Sequence, residues 1–327
     1  MIDLSTSVPA LILIGAIAIP AAVYLLLGLG ERILERLLPR RPRSVLRPWV
    51  WLLVPLLVVA LILLYPLLYT VVLSVMDETG TRFVGGENFV WAFSGSMLEI
   101  LGNNVIWIVA FPVGTLVLAL IVAVVFDRVR YEKLAMTLIV LPTAISFAAG
   151  SIIWRQNYSY QPAGSEQRGL LNALWTLLPG AAPIPWLQTQ TVNTFALIFV
   201  AIWSGLGVAA LILSAAVKNV PADMLEAARL DGAGEFRVFF SMVLPSIAPA
   251  VLVVITTEVI FALKVFDIVY VMTNGNFGTD VVANRMYSEL FSSSDYGHAS
   301  AIAILLLIAA APIIALNIRQ FRAEKEA

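Results

Sequence analysis

The sequence predicts an all-α, polytopic membrane protein, on three observations. Hydrophobic residues make up 60% of the 327-residue chain and charged residues 13%, whereas soluble domains average about 45–50% and about 25%. So little charge cannot cover a water-facing surface. Seven stretches are long and apolar enough to cross a bilayer core, which takes about 20 helical residues: 8–29, 50–76, 104–126, 134–154, 192–216, 247–271 and 298–318. The polar segments between them divide the Lys and Arg residues unequally, fifteen on one alternating set against four on the other. The near-balance of 20 basic and 21 acidic residues excludes the basic surplus that nucleic acid calls for. With no cysteine in the chain, disulfides, thiolate metal sites and cysteine nucleophiles are excluded, and no cofactor is expected.

Each element follows from local chemistry. The stretch 8–29 reads as a retained helix: Met1-Ile-Asp-Leu-Ser lacks a basic start, and the apolar run exceeds the about 7–15 residues of a leader. Six arginines follow it, Arg32, Arg36, Arg40, Arg41, Arg43 and Arg47. Together with Arg128, Arg130, Lys133, Lys218, Arg229, Arg237, Arg319, Arg322 and Lys325 they mark the cytoplasmic side, where Lys and Arg accumulate. Arg82, Arg155, Arg168 and Arg285 mark the other side. The N-terminus is therefore expected outside and the C-terminus in the cytoplasm. Prolines within spans, such as Pro55, Pro66, Pro112 and Pro142, are tolerated where neighbouring helices re-satisfy the freed carbonyls. The long outer segments 77–103 and 155–191 carry Trp91, Trp175 and Trp186, which suit interfacial pieces.

The inner segment 217–246 carries the densest signal. Pro221 before Ala222 and Asp223 predicts a helix start, with an acid near the positive end of the dipole. Gly232 suits the left-handed position that ends such a helix. A second helix is expected over Glu235–Leu244, with Phe236, Phe239, Phe240 and Val243 on one apolar face, ended by Pro245. Ala227, Ala228, Gly232 and Ala233 leave little side chain at the bend. Such a loop either packs on its own protein or docks into another.

Polar residues inside a span mark a path or a site. The sixth stretch holds Thr256, Thr257, Glu258, Lys264 and Asp267, with Thr257, Phe261, Lys264 and Ile268 expected on one stripe. Trp203-Ser204-Gly205 in the fifth stretch offers an aromatic face and a hydroxyl. Lys264 and Asp267, three apart, either line a path or neutralise one another as a structural pair. His298 reads as an interfacial residue rather than a proton carrier.

The string Glu226-Ala227-Ala228-x-x-Asp231-Gly232-Ala233, followed by Leu244-Pro245, resembles the EAA loop of ATP-binding-cassette importer permeases in its sugar-importer form. Leu141-Pro142 and Thr273-Asn274-Gly275 extend the resemblance over roughly 50–320. The stretch Val281 to Tyr287 and Tyr160-Gln-Pro-Ala-Gly favour the α-glucoside branch among maltose-type permeases, in the class related to the larger of two paired subunits. The resemblance implies a type I importer permease fold: a six-helix domain over 50–320, preceded by an N-terminal helix and basic linker over 1–49 and followed by a tail over 321–327.

It also implies partners: a second permease, two cytoplasmic ATPase subunits that the loop would meet, an extracytoplasmic sugar-binding protein on 77–103, 155–191 and 272–297, and the lipid bilayer. It places substrate contacts mainly on the fifth and sixth spans and the one before. At Glu258, Ala262 and Val265 the chain departs from the Asn or Ser that the family often carries. No Gly-Lys pair occurs, so the phosphate-binding G-x-x-x-x-G-K-[ST] loop of an ATPase is absent, and energy is expected from a partner. An ion-coupled secondary transporter is the alternative, but no internal repeat of that class is visible. A membrane zinc enzyme would need more than one histidine.

Overall fold

The structure, a computed structural model, describes residues 40–126 and 129–326 together with isolated positions between 24 and 36. The expected stretch 8–29 lies, apart from its last few positions, outside the described residues. By compactness the chain forms two units, Met1–Thr70 and Val71–Ala327. In the first unit begins the apolar helix α1, Leu46–Leu73, interrupted by a π-turn at Ala60–Leu64.

The second unit is built from α2 (Glu87–Trp91), α3 (Met97–Phe126), α4 (Glu132–Ala144), α5 (Phe147–Asn157), α6 (Leu170–Trp175), α7 (Val192–Lys218), α8 (Ala222–Leu230), α9 (Glu235–Ser246), α10 (Ala248–Leu263), α11 (Asp267–Met272), α12 (Val282–Phe291) and α13 (Tyr296–Glu326). Among the described residues the only strand-like pairing is the isolated bridge Met76–Phe83, so the fold is all-α as expected. Among the described residues, four helices are long and apolar enough to span a membrane, or six if each of two bent pairs counts as one span.

The first of those bends, and a break further along the chain, correct expected straight spans, whereas the second bend falls where Pro245 is expected to end the preceding helix. The stretch 134–154 divides into α4 and α5, which meet at 101°. Pro142 tightens Leu141–Ala144 into a 3₁₀ turn, Ile145 is extended, and Ser146 caps α5 by accepting from the Ala149 N–H at 3.2 Å. The stretch 247–271 is bent by 73° against α9 at its start. It also stops at Leu263 and resumes only at Asp267. The outer spans gain helix, starting at Met97 and Tyr296 rather than at 104 and 298.

The core sits where α3, α7 and α10 pack together. Toward the 217–246 end, Ala119, Ala123, Ala209 and Ala210 are buried together, small residues that let helix backbones approach closely. At Gly207 a Cβ would stand 2.7 Å from Val140 Cα and 2.9 Å from the Ile139 carbonyl oxygen, so α7 presses against the backbone of the kinked α4. Away from the elbow, Trp107, Phe111, Leu197, Val200, Val265, Ile268 and Val269 fill the core. Buried Asn104 ties three elements, accepting from the Val282 N–H at 2.7 Å and donating to the Leu263 carbonyl at 3.4 Å.

Candidate functional site

Two regions carry the expected functional residues. The first is the elbow over 217–246. Pro221 precedes α8 with φ −57°, and Asp223 stands in its first turn. Gly232 adopts φ +83°, while the Ala233 N–H reaches the Ala228 carbonyl and the Gly232 N–H the Arg229 carbonyl, each at 3.0 Å. Those two bonds with a left-handed glycine between them form a Schellman stop, so the bend lies at the expected residue. Arg229 Nε holds Glu235 Oε1 at 2.9 Å across the bend. That bond from Glu235, followed by the charge of Glu226, raises the Arg229 pKa above its ordinary value.

The elbow has two faces. Ala228, Val238, Val243 and Ile247 are buried against its own protein, with Ala233 and Leu244 half-buried. Glu226, Ala227, Asp231, Gly232 and Pro245 are exposed, and beside them Leu230, Phe236 and Phe240 stand 89%, 83% and 61% exposed. The expected single apolar face of the second helix is thereby corrected. A π-turn at Phe239–Val243 shifts the register, turning Val238 and Val243 inward while Phe236 and Phe240 stay bare. Exposed large side chains gathered on one short segment mark an interaction surface.

The second region lies between α3, α5, α7 and α10. A Cβ on Gly205 would lie 3.8 Å from both Glu258 Oε1 and Phe111 Cζ, and one on Gly150 would lie 3.5 Å from Trp203 Cζ3 and 3.6 Å from Ser204 Oγ. The absence of side chains at Gly150 and Gly205 leaves the room in which Glu258, Ser204 and Trp203 face their neighbours. The ring of Phe261 sits 5.2 Å from Phe111 and 4.7 Å from Phe147; Trp154 sits 5.6 Å from both Trp203 and Tyr158. Glu258 makes no ion pair or hydrogen bond among the described residues. This wall of aromatic faces with a few polar groups suits a ligand whose rings stack and whose hydroxyls hydrogen-bond.

Three expected members do not join it. The Thr257 hydroxyl donates to the Val253 carbonyl of its own helix at 2.8 Å and is exposed. Lys264 follows the last residue of α10, at φ −109° and ψ 19°, and Asp267 begins α11. The expected stripe through Thr257, Phe261, Lys264 and Ile268 is therefore broken, and no Lys264–Asp267 ion pair occurs among the described residues. Each charge instead stands at the helix end that favours it, the cation after a C-terminus and the acid in a first turn.

Conversely, Trp107, Phe111 and Thr115 of α3, and Phe147, Gly150 and Trp154 of α5, were not singled out from the sequence. Aromatic and small residues in a mostly apolar span carry no pattern of their own, and three buried polar atoms mark the place. Trp107 Nε1, Thr115 Oγ1 and Trp154 Nε1 have no hydrogen-bond partner among the described residues, whereas buried polar groups ordinarily do.

His298 stacks on Trp91 at 3.7 Å, and its Nδ1 lies 2.7 Å from Asp295 Oδ2. Glu289, Asp295 and His298 form a metal-type cluster at the start of α13, but Arg285 Nε already stands 2.8 Å from Glu289 Oε1, so one of its two carboxylates is engaged by a cation of the chain's own.

The comparisons with known proteins agree with this architecture. Over 265 residues the chain is 48% identical to an osmoprotective-compound uptake permease protein, GgtC, of Synechocystis, covering 81% of this chain and 95% of that one. It is 40% identical over 276 residues to an alpha-glucoside transport system permease protein, AglF, of Rhizobium meliloti, covering 84% and 82%. In structure it matches a crystallised bacterial ABC transporter involved in alginate import, with a TM-score of 0.72 at 20% identity, covering 87% of this chain and 99% of that chain. That likeness establishes the permease fold. With residues 26–322 matched by the family model, the chain belongs to the binding-protein-dependent transport system inner membrane components.

Proposed function

We propose that the chain is a membrane subunit of an ATP-driven uptake system for oligosaccharides of the α-glucoside, maltose and trehalose class. It would pass its substrate by alternating access, with the energy supplied by separate ATPase subunits. A sister permease, two cytoplasmic ATPases and an external sugar-binding protein complete the system. The N-terminus lies outside, the C-terminus inside, and residues 50–320 form the working permease domain between the N-terminal 1–49 and the tail 321–327. The relatives named for alpha-glucosides and, at 31% identity over 199 residues, for trehalose and maltose support the substrate class.

The observation that carries the reading is the two-faced elbow. Ala228, Val238 and Val243 hold it to the membrane domain, while Glu226, Ala227, Asp231 and Gly232 are presented with Leu230 and Phe236 for a partner. An ATPase pair closing on nucleotide would move that face, and the rigid anchoring would carry the motion to α7 and α10 as a rigid-body rearrangement. Within the membrane, Trp203, Ser204, Gly205, Glu258 and Phe261 would line the path. Thr257, Lys264 and Asp267 flank it.

The test is reconstitution of the complete importer in liposomes. Uptake of labelled maltose, trehalose or sucrose that requires ATP and the loaded binding protein is expected. Uptake driven by a proton or sodium gradient without ATP would overturn the reading.

A further inference from the structure

Outside the path, at the outer end of α5, lies a cleft of about 350 Å³ walled by Arg155, Gln156, Tyr158, Ser159, Tyr160 and Gln188, among others. Its volume falls at the lower end of the about 300–1,000 Å³ of small-molecule sites. The side-chain amides of Gln156 and Gln188 and the hydroxyl of Tyr160 make no hydrogen bond among the described residues, although Gln156 and Gln188 sit on ordered backbone. Arg155 is held in place, Nη1 donating to the Val271 carbonyl at 3.2 Å. Tyr158 is 5% exposed and donates its hydroxyl to the Ala196 carbonyl at 3.1 Å. Its ring stands 6.2 Å from Trp186 on one side and 5.6 Å from Trp154 on the other. Trp154 in turn meets Trp203, so one wall of the cleft is the first ring of an aromatic series that runs inward to Trp203.

We propose that this cleft is an outer subsite that receives a neutral sugar ring before it enters the membrane path. An inference about the substrate's route, it rests on the reading of the chain as a sugar permease. A carboxamide offers a donor pair and an acceptor side by side, which matches vicinal hydroxyls. Two carboxamides, a phenol and an adjoining aromatic wall are the groups that recognise a hexopyranose. Among the described residues no acid lines the cleft, and its one cation, Arg155, is turned toward the Val271 carbonyl. A sugar released by the external binding protein would be held there against back-diffusion while the path opens.

The test uses the complete importer, with its own partner subunits, in liposomes supplied with saturating binding protein loaded with labelled maltose, trehalose or sucrose. Sugar imported per ATP hydrolysed is measured for wild type, for Gln156→Ala combined with Gln188→Ala, and for Tyr160→Phe. Both glutamines are exposed, so the variants fold. The double variant is expected to lower the ratio about five- to tenfold, as loss of one or two hydrogen bonds would, and Tyr160→Phe about twofold. Because 155–191 is also expected under the binding protein, stimulated ATP hydrolysis is measured alongside and is expected to fall much less than uptake does. An unchanged ratio would overturn the proposal. So would a parallel fall in uptake and stimulated hydrolysis, which would make the cleft a seat for the binding protein. If the wild-type importer moves none of the three sugars, the reading as a sugar permease fails and the subsite with it, a result distinguishable because no variant is needed to see it.

Discussion

The elbow and the proposed intramembrane path would divide the work of this chain, and they are built on opposite principles. The elbow is local. One run of 30 residues supplies its helix start at Pro221, its left-handed glycine at 232 and its Arg229–Glu235 clasp, and its outer face has no need of the rest of the protein. The proposed path is assembled from four helices far apart in sequence, and its room depends on Gly150 and Gly205 withholding side chains beside Trp203, Ser204, Phe111 and Glu258. A segment that must fit a separate partner can be specified by contiguous chemistry. A passage that must open and close is specified by how helices meet.

The comparison breaks most completely if the shared frame is removed. Gly207→Leu should do so. Even the first carbon would stand 2.7 Å from a backbone atom of α4, and overpacking of this kind costs about 1–3 kcal/mol or more where no flexible side chain can yield. Loss of the folded protein from detergent extracts, read by size-exclusion chromatography, is the expected outcome, with elbow and path failing together.

Next in size, Gly232→Trp should separate the two regions. A Cβ at Gly232 meets nothing within 4 Å, so folding bears only the left-handed backbone strain, about 1–2 kcal/mol. The presented face would nevertheless gain a large ring. Membrane insertion should be normal, while co-purification of the ATPase subunits and uptake fall at least tenfold. Normal uptake would show that the elbow does not dock.

How far each region was legible in the sequence follows from the same contrast. The elbow's start, stop and small residues could be read directly, because capping and left-handed glycine are properties of a few adjacent residues. Its apolar face was misassigned because a π-turn at Phe239–Val243 adds a residue to one turn, and 3.6-residue periodicity does not anticipate that. In the path, Trp203-Ser204-Gly205 and Glu258 stood out as polar or aromatic groups in apolar stretches. Phe111, Phe147 and Trp154 did not, since an aromatic residue in a membrane helix has the same pattern whether it faces lipid or a passage. Lys264 and Asp267 were placed on a continuous helix, and the structure ends that helix at Leu263. The pair reads differently once each charge is seen at its own helix terminus.

That difference yields an ordered pair of smaller effects. Glu258→Gln turns the carboxyl beside Gly205 and Phe111 into an amide and should lower sugar uptake about tenfold, the loss of one hydrogen bond to a hydroxyl. ATPase assembly should stay intact. Lys264→Ala, at an exposed helix end outside the aromatic wall, should change uptake less than about threefold, the range of an exposed charge–dipole contact. Equal effects would return Lys264 to the path and restore the continuous stripe.

The smallest effect expected is at the clasp. Arg229 and Glu235 are 42% and 52% exposed in their side chains, and solvent-exposed pairs contribute little to stability. Glu235→Gln should therefore leave folding and assembly unchanged. The clasp does, however, join the two arms of the elbow across a glycine, so its effect belongs to rigidity rather than to stability. A lever that transmits motion loses stroke if its joint yields, so Glu235→Gln should lower the sugar moved per ATP by less than about twofold at physiological salt. Wild type should approach the variant's ratio as salt is raised, because an exposed pair is screened over about 8 Å at 0.15 M ionic strength and over about 3 Å at 1 M. A ratio that is indifferent to both the substitution and the salt would mean that the Schellman bonds at Ala233 and Gly232 hold the angle by themselves.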